Sequence, residues 1–232
     1  MYKASAAHII PTGQVFTSGK ISPGRAYVPV ELDGMETMAG GGLRERKKEA
    51  TRMALHEAAM RLAVEHGLDE VTVEAIADAA GVSRRTFSNY FDGKEDALLY
   101  GDEQRMRSLL DRFAARPPGE TSWAALRAAF HDLAGEIGEP DPRWAAQARL
   151  ARAHPSVLAR QLAHYATFER ALADLVAARD GLPPGSARAV VMAGAFMTAL
   201  RIGALAWTEQ DPPRSMAEVT DEALTEMATP FT

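Results

Sequence analysis

The chain has 232 residues, with 26 Lys and Arg against 31 Asp and Glu for a net charge of −5, no cysteine, and 47% hydrophobic residues. That length allows one small and one larger domain with a sizeable core, and the lack of cysteine excludes disulfides and thiolate-ligated zinc and suits a reducing cytoplasm. Because the chain as a whole is acidic, any grip on nucleic acid must come from local clusters of positive charge.

Residues 1–42 differ in character from the rest. Pro11, Gly13, Gly19, Pro23, Gly24 and Pro29 break any regular element, and the run from Ala39 to Gly42 reads as a flexible hinge. No basic start followed by a long apolar stretch marks a secretory signal. The segment reads either as a disordered extension or as the product of a start codon chosen too far upstream, since Met35 and Met38 stand near its end. A DNA-gripping arm is the weakest reading, because Lys3, Lys20 and Arg25 face Glu31, Asp33 and Glu36.

From Leu43 the pattern turns helical, with Leu55, Ala58, Ala59 and Leu62 at three-four spacing. Gly67 is placed to end this helix as its C′ residue, with Leu68 closing the cap. Its first turns carry Arg44, Arg46, Lys47, Lys48 and Arg52 against Glu45 and Glu49. Such a run is commonly a solvated helix end, but beside a DNA-reading motif it favours phosphate contact.

That motif is the stretch AIADAAGVSRRTFSNYF, from Ala75 to Phe91. Thr72 caps a first helix whose apolar face is Ile76, Ala79 and Ala80. Gly81 supplies the positive φ of a tight corner, Val82 plugs it, and Ser83 caps a second helix. Phe87 and Phe91, four apart, turn inward and leave Arg84, Arg85, Thr86, Ser88 and Asn89 outside. An exposed helix start with two arginines and small hydrogen-bonding residues meets the demands of major-groove reading. The stretch is a helix-turn-helix.

On these residues the sequence resembles the TetR-type bacterial transcriptional regulators. The likeness begins with GLRERKKEATRMALHEAAMRLAVEHG, runs through DEVTVEAIADAAGVSRRTFSNYF and ends with DGKEDALL at Leu99. Two departures stand out: Ala63 occupies a place usually filled by an aromatic, and Asp92-Gly93 replaces a polar or basic pair before Lys94. The resemblance implies an all-α fold. A helix-turn-helix DNA-binding domain is expected over residues 43–92, and a helical effector-binding and dimerisation domain over residues 93–232.

After Phe91 a long helix is expected from Lys94 to about Ala115, stopped by Pro117 and Pro118. Glu95 and Asp96 suit its first turn. Lys94 opposes the helix dipole there, which points to an external anion, and a DNA phosphate is the natural one. Prolines and glycines then divide the remainder into helices near 121–137, 142–153, 155–179, 185–209 and 215–228. No period-two alternation appears, so no sheet is expected.

The uncharged residues 189–200 stop at Arg201, too short a run to span a bilayer. The stretch VVMAGAFMTALRIGALAW is rich in small residues that allow close helix approach. That stretch is either an internal core helix or, as the family resemblance implies, part of a homodimer interface made by the helices near 185–209 and 215–228, since exposed apolar area on terminal helices needs a partner.

Met106, Phe113, Trp123, Phe130, Trp144, Tyr165, Phe168, Met192, Phe196 and Met197 either fill a core or, as a group, line an apolar cavity between helices. The resemblance favours an effector pocket. The stretch HPSVLARQLAHYATFERALADLVAARDGLPP is also similar to the C-terminal domain of mycofactocin-type regulators that sense acyl-CoA-like ligands. His154, His164 and Arg149 are polar groups near it.

No HExxH, Gly-rich phosphate loop, GxSxG or metal-spaced carboxylates occur, so no enzyme, cofactor or metal is expected. A helical carrier or helical-bundle enzyme without DNA binding is the alternative. The resemblance implies a cytoplasmic, homodimeric repressor that binds a palindromic double-stranded operator and is released by a small apolar, acyl-bearing effector. Lys47, Lys48, Thr72, Tyr90 and Lys94 are expected on phosphates. Arg84, Arg85 and Thr86 are expected on base edges, with Ser83, Ser88 and Asn89 beside them.

Overall fold

The computed structural model describes residues 38–138, 145, 149, 153–209 and 214–229, with side chains from residue 43 onward. Residues 1–37 and Trp144 lie outside this set, and so does most of the helix expected near 142–153. Among the described residues there are eight α-helices and no strand, so the described part of the chain is all-α. They are α1 (Met38–His66), α2 (Val73–Ala79), α3 (Arg84–Ser88), α4 (Lys94–Ala114), α5 (Ser122–Ile137), α6 (Pro155–Arg179), α7 (Ala187–Glu209) and α8 (Met216–Glu226).

The start of α1 differs from expectation, because its helix runs through the glycines expected to form a hinge. Glycine costs about 1 kcal/mol per helical position. It keeps its N–H and C=O, however, and no proline interrupts the chain from Met38 to His66. The end of α1 is as read: Gly67 has φ +80° and donates to the Ala63 carbonyl at 3.1 Å.

Two hydrophobic clusters organise the fold. The first gathers Leu55, Ala59 and Ala63 of α1, Leu68 and Val71 of the following loop, Ile76 and Ala77 of α2, and Phe87 and Phe91. Ala63 is buried there, so the small residue leaves no gap open to solvent. On α2 the inward alanine is Ala77, while Ala79 is exposed. The short helix is rotated so that Ile76 and Ala77 meet α1 and α3.

Ala97, Leu98, Leu99 and Tyr100 of α4 and Val157 of α6 complete the same cluster. The second cluster holds Leu109 and Phe113 of α4, Trp123, Leu126 and Phe130 of α5, Leu172 and Val176 of α6, Met192 and Phe196 of α7, and Leu224 of α8. One rigid helix therefore serves both cores, with Ala97 and Leu109 about 18 Å apart along its axis.

By length and composition α7 is long and apolar enough to cross a membrane. The sequence reading missed this by stopping at Arg201. One face of the helix is nevertheless committed to the core through Ala189, Met192, Ala193, Phe196 and Ala199. Its small residues set a close crossing with α8. A Cβ on Gly203 would collide with Thr220 Oγ1 and stand 2.5 Å from Thr220 Cα.

Candidate nucleic-acid interface

The corner between α2 and α3 is built by its caps. Thr72 Oγ1 accepts from the Ala75 N–H at 3.1 Å, and Ser83 Oγ accepts from the Thr86 N–H at 3.1 Å. Each satisfies one of the orphan donors that a helix start leaves. Gly81 turns the chain with φ +68°, and the Val82 N–H donates to the Ala77 carbonyl at 2.9 Å. The rings of Phe87 and Phe91 meet at 5.7 Å between centroids and anchor α3 from beneath.

This anchoring sends the rest of α3 outward. Arg84, Arg85, Ser88 and Asn89 are exposed and Thr86 is half-buried. Ser83 and Thr86 hydroxyls lie 2.9 Å apart, so each restrains the other. Arg84 Nε is held by Glu74 Oε1 at 3.0 Å, whereas Arg85 makes no ion pair among the described residues.

The flanking positive groups have different partners. Lys47 is exposed, and Lys48 is half-buried with Glu45 at 3.6 Å. The Arg52 guanidinium stands 5.6 Å from the centre of the Tyr90 ring, an attraction between cation and ring quadrupole that ties α1 to the end of α3.

Lys94 departs from expectation. Its ammonium donates to the carbonyls of Leu68 and Val71, both at 2.9 Å. The charge read as seeking an external phosphate is satisfied inside the chain, where it braces the loop between α1 and α2. Asp92 is exposed and pairs with Arg160 at 3.6 Å.

The start of α4 is bound to α1 and α6. His56 Nδ1 donates to the Ala97 carbonyl at 2.8 Å, and the Tyr100 hydroxyl donates to the Glu49 carboxylate. Burial lowers the His56 pKa, which keeps the ring neutral with its proton on Nδ1. Burial, helped by the Glu49 bond, raises the Tyr100 pKa, so the phenol stays a donor. From α6, Arg160 binds Asp96 through two nitrogens and Gln161 donates to Asp102 at 3.3 Å. His154 lies 3.4 Å from Asp69 and His164 lies 3.8 Å from Asp96. Both histidines, read from sequence as polar groups near a pocket, thus stand at the junction of α6 with α4 and the loop after α1.

The aromatic set is divided by the structure. Phe113, Trp123, Phe130, Met192 and Phe196 are buried against one another, with Trp123 and Phe196 edge-to-face at 6.1 Å. Met106, Tyr165 and Phe168 are half-buried, and Met197 is buried. A cleft of about 150 Å³ opens between α6 and α7, bordered by Leu162, Tyr165, Ala166, Glu169, Met197, Thr198 and Arg201. Of the described members of the aromatic and methionine set, Tyr165 and Met197 line it. Arg149 donates to the Thr208 carbonyl at 2.6 Å instead.

Glu74 was missed in the sequence, and Glu49 was read only as a countercharge to the α1 basic run and not as the partner of Tyr100. Glu74 carried a partial signal, an acid two places after a cap, but nothing in one dimension ties it to Arg84.

The family described as bacterial regulatory proteins, tetR family, matches residues 55–100. The MftR C-terminal domain matches residues 120–232. The chain is 34% identical over 152 residues to the HTH-type transcriptional regulator TcmR of Streptomyces glaucescens, which spans 63% of this chain and 67% of that protein. Among solved structures it is similar to the TetR family repressor FadR of Thermus thermophilus in complex with lauroyl-CoA. That match has 26% identity and a TM-score of 0.50, and covers 78% of this chain and 95% of that one. The SmeT–triclosan complex, with 19% identity and a TM-score of 0.54 over 78% of this chain and 91% of that one, shares the fold.

Proposed function

Since the chain belongs to the TetR family of bacterial regulatory proteins and is a transcriptional regulator rather than an enzyme, we propose that it is a cytoplasmic homodimeric repressor whose α3 reads a palindromic operator. The observation that carries this reading is the doubly capped corner with Arg84, Arg85, Ser88 and Asn89 exposed above a buried Phe87. Arg84 and Arg85 suit guanine edges, where a guanidinium meets O6 and N7 together. Thr86 adds a shorter contact. Lys47, Lys48, Thr72 and Tyr90 set the register through phosphates.

The helix-turn-helix unit over residues 43–92 and the helical remainder are joined through α4. The dimer forms through α7 and α8. Val190, Val191, Ile202 and Leu205 are exposed along α7, and an apolar stripe of that kind calls for a second copy.

The effector is apolar and acyl-bearing. The lauroyl-CoA complex of the Thermus thermophilus relative supports this class, as do Leu162, Tyr165, Ala166 and Met197 of the cleft between α6 and α7, which Glu169, Thr198 and Arg201 also border. At about 150 Å³ that cleft is smaller than the few hundred Å³ of a typical ligand pocket. An acyl chain enters only if α6 moves relative to α7, and α6 is bolted to α4 by Arg160 and Val157. Ligand and operator must then weaken each other by the same factor.

The experiment is a pair of titrations: operator DNA with and without saturating lauroyl-CoA or free lauric acid, and each ligand with and without operator. Reciprocal loss of affinity supports the reading. Tight ligand binding that leaves operator affinity unchanged contradicts the switch, and absence of operator binding contradicts the regulator.

A further inference from the structure

Glu74 is an acid on the surface assigned above to DNA, where Coulomb repulsion from phosphates should disfavour it. Its position explains its presence. It lies in the first turn of α2, two residues after the Thr72 cap, and its Oε1 is 3.0 Å from Nε of Arg84, the first residue of α3. The two helices are held at a set distance by the buried Ile76 and Phe87, so the carboxylate and the guanidinium are brought together by the fold rather than by chance encounter. Both side chains are largely exposed, at 72% for Arg84 and 54% for Glu74, and such a pair adds little to stability.

We infer that Glu74 is a positioning residue for Arg84, setting the guanidinium plane for guanine. The inference rests on the reading that α3 contacts base edges. A guanidinium has five N–H donors in one plane, and the Glu74 carboxylate pairs with that of Arg84 on its Nε side, Oε1 standing 3.0 Å from Nε. The four on the terminal nitrogens remain, and two of them suffice for O6 and N7 of one guanine. Pairing on the α2 side restricts part of the rotamer freedom that an arginine otherwise loses on binding. That saving corresponds to about two- to tenfold in affinity, confined to the base pair that Arg84 reads.

Sign separates this role from a merely structural or repulsive one. Removing an acid near phosphates tightens binding to every sequence alike, most at low salt. Loss of a positioning residue instead lowers discrimination at a single base pair. Glu74→Gln retains a carbonyl oxygen able to accept from Nε, so it keeps part of the effect while losing the charge.

The test measures binding of the wild type, Glu74→Ala, Glu74→Gln, Arg84→Ala and the double variant to the selected operator. Each operator position is replaced in turn, and each series is run at two salt concentrations. Glu74→Ala is expected to lose about two- to tenfold of discrimination at the same base pair as Arg84→Ala and at no other. Glu74→Gln falls between, and Glu74→Ala adds nothing on the Arg84→Ala background. Uniform tightening with discrimination intact overturns the proposal, as does a loss at a base pair that Arg84→Ala leaves untouched. If Arg84→Ala itself leaves every base pair discriminated, the assignment of Arg84 as a reader fails, and the proposal falls with it for that separate reason. Unchanged thermal unfolding of both Glu74 variants keeps the comparison free of misfolding.

Discussion

The ammonium of Lys94 lies 2.9 Å from the carbonyl oxygen of Leu68, and the same group reaches the Val71 carbonyl at 2.9 Å. The first residue of α4 thereby clamps the connection between α1 and α2. Lys94→Met keeps the aliphatic stem and removes both charge-assisted bonds. It should destabilise the protein by about 1–3 kcal/mol, read as a lowered unfolding midpoint. The salt dependence of operator binding should change by less than the roughly one unit that a lost phosphate contact gives. A full unit with unchanged stability would return Lys94 to the phosphate.

Val157 belongs by sequence to α6, yet it is fully buried in the cluster formed by α1, α2 and α3. Val157→Ala should therefore cost roughly 1–3 kcal/mol through the cavity it leaves. The loss should appear in the amide exchange protection of α1 and α4 as well as in that of α6. Protection changes confined to α6 would show that the contact does not couple the two parts.

Gly203→Ala places a methyl 2.5 Å from Thr220 Cα, a backbone atom that cannot rotate away. The α7–α8 crossing must open, at a cost of about 1–3 kcal/mol or more. Gly194→Ala is the control, since its new methyl meets only the flexible end of Glu169 at 3.1 Å. Calorimetric unfolding should separate the two variants, and a lower dimer affinity in Gly203→Ala alone would accompany it.

Burial lowers the His56 pKa from 6.5, and the Nδ1–Ala97 bond only partly offsets that. A base whose pKa is lower in the folded state is protonated first in the unfolded one. Its contribution to stability is thus complete above pH 6.5 and lost as pH falls through the lower folded value. His56→Asn retains a donor near Nδ1 and does not titrate. Its stability should vary less than the wild type's between about pH 7 and pH 5. Equal slopes for the two proteins would remove His56 from the account.

Local chemistry was readable in the sequence wherever it is set by neighbours along the chain. Thr72, Gly81, Ser83 and the Phe87–Phe91 pair announced the corner, and Pro155 announced the start of α6. Long-range partners were not readable. Nothing near Lys94 reveals the Leu68 and Val71 carbonyls, and nothing near Val157 reveals the cluster of α1, α2 and α3 that it joins. Periodicity showed that Phe113, Phe130 and Phe196 point inward, but not whether they meet each other or a void. They meet each other. The rotation that buries Ala77 rather than Ala79 depends on α1, which a seven-residue helix cannot foretell.

The central claim is that two copies of α3 read DNA, and selection of bound fragments from random duplexes tests it most directly. The account predicts a two-fold symmetric consensus with half-site centres about one helical turn, ~34 Å, or a multiple apart. It also predicts that Arg85→Ala relaxes one position per half-site at a cost of about 1–3 kcal/mol in affinity. Recovery of no consensus, or of a single asymmetric half-site bound by one copy, would contradict it.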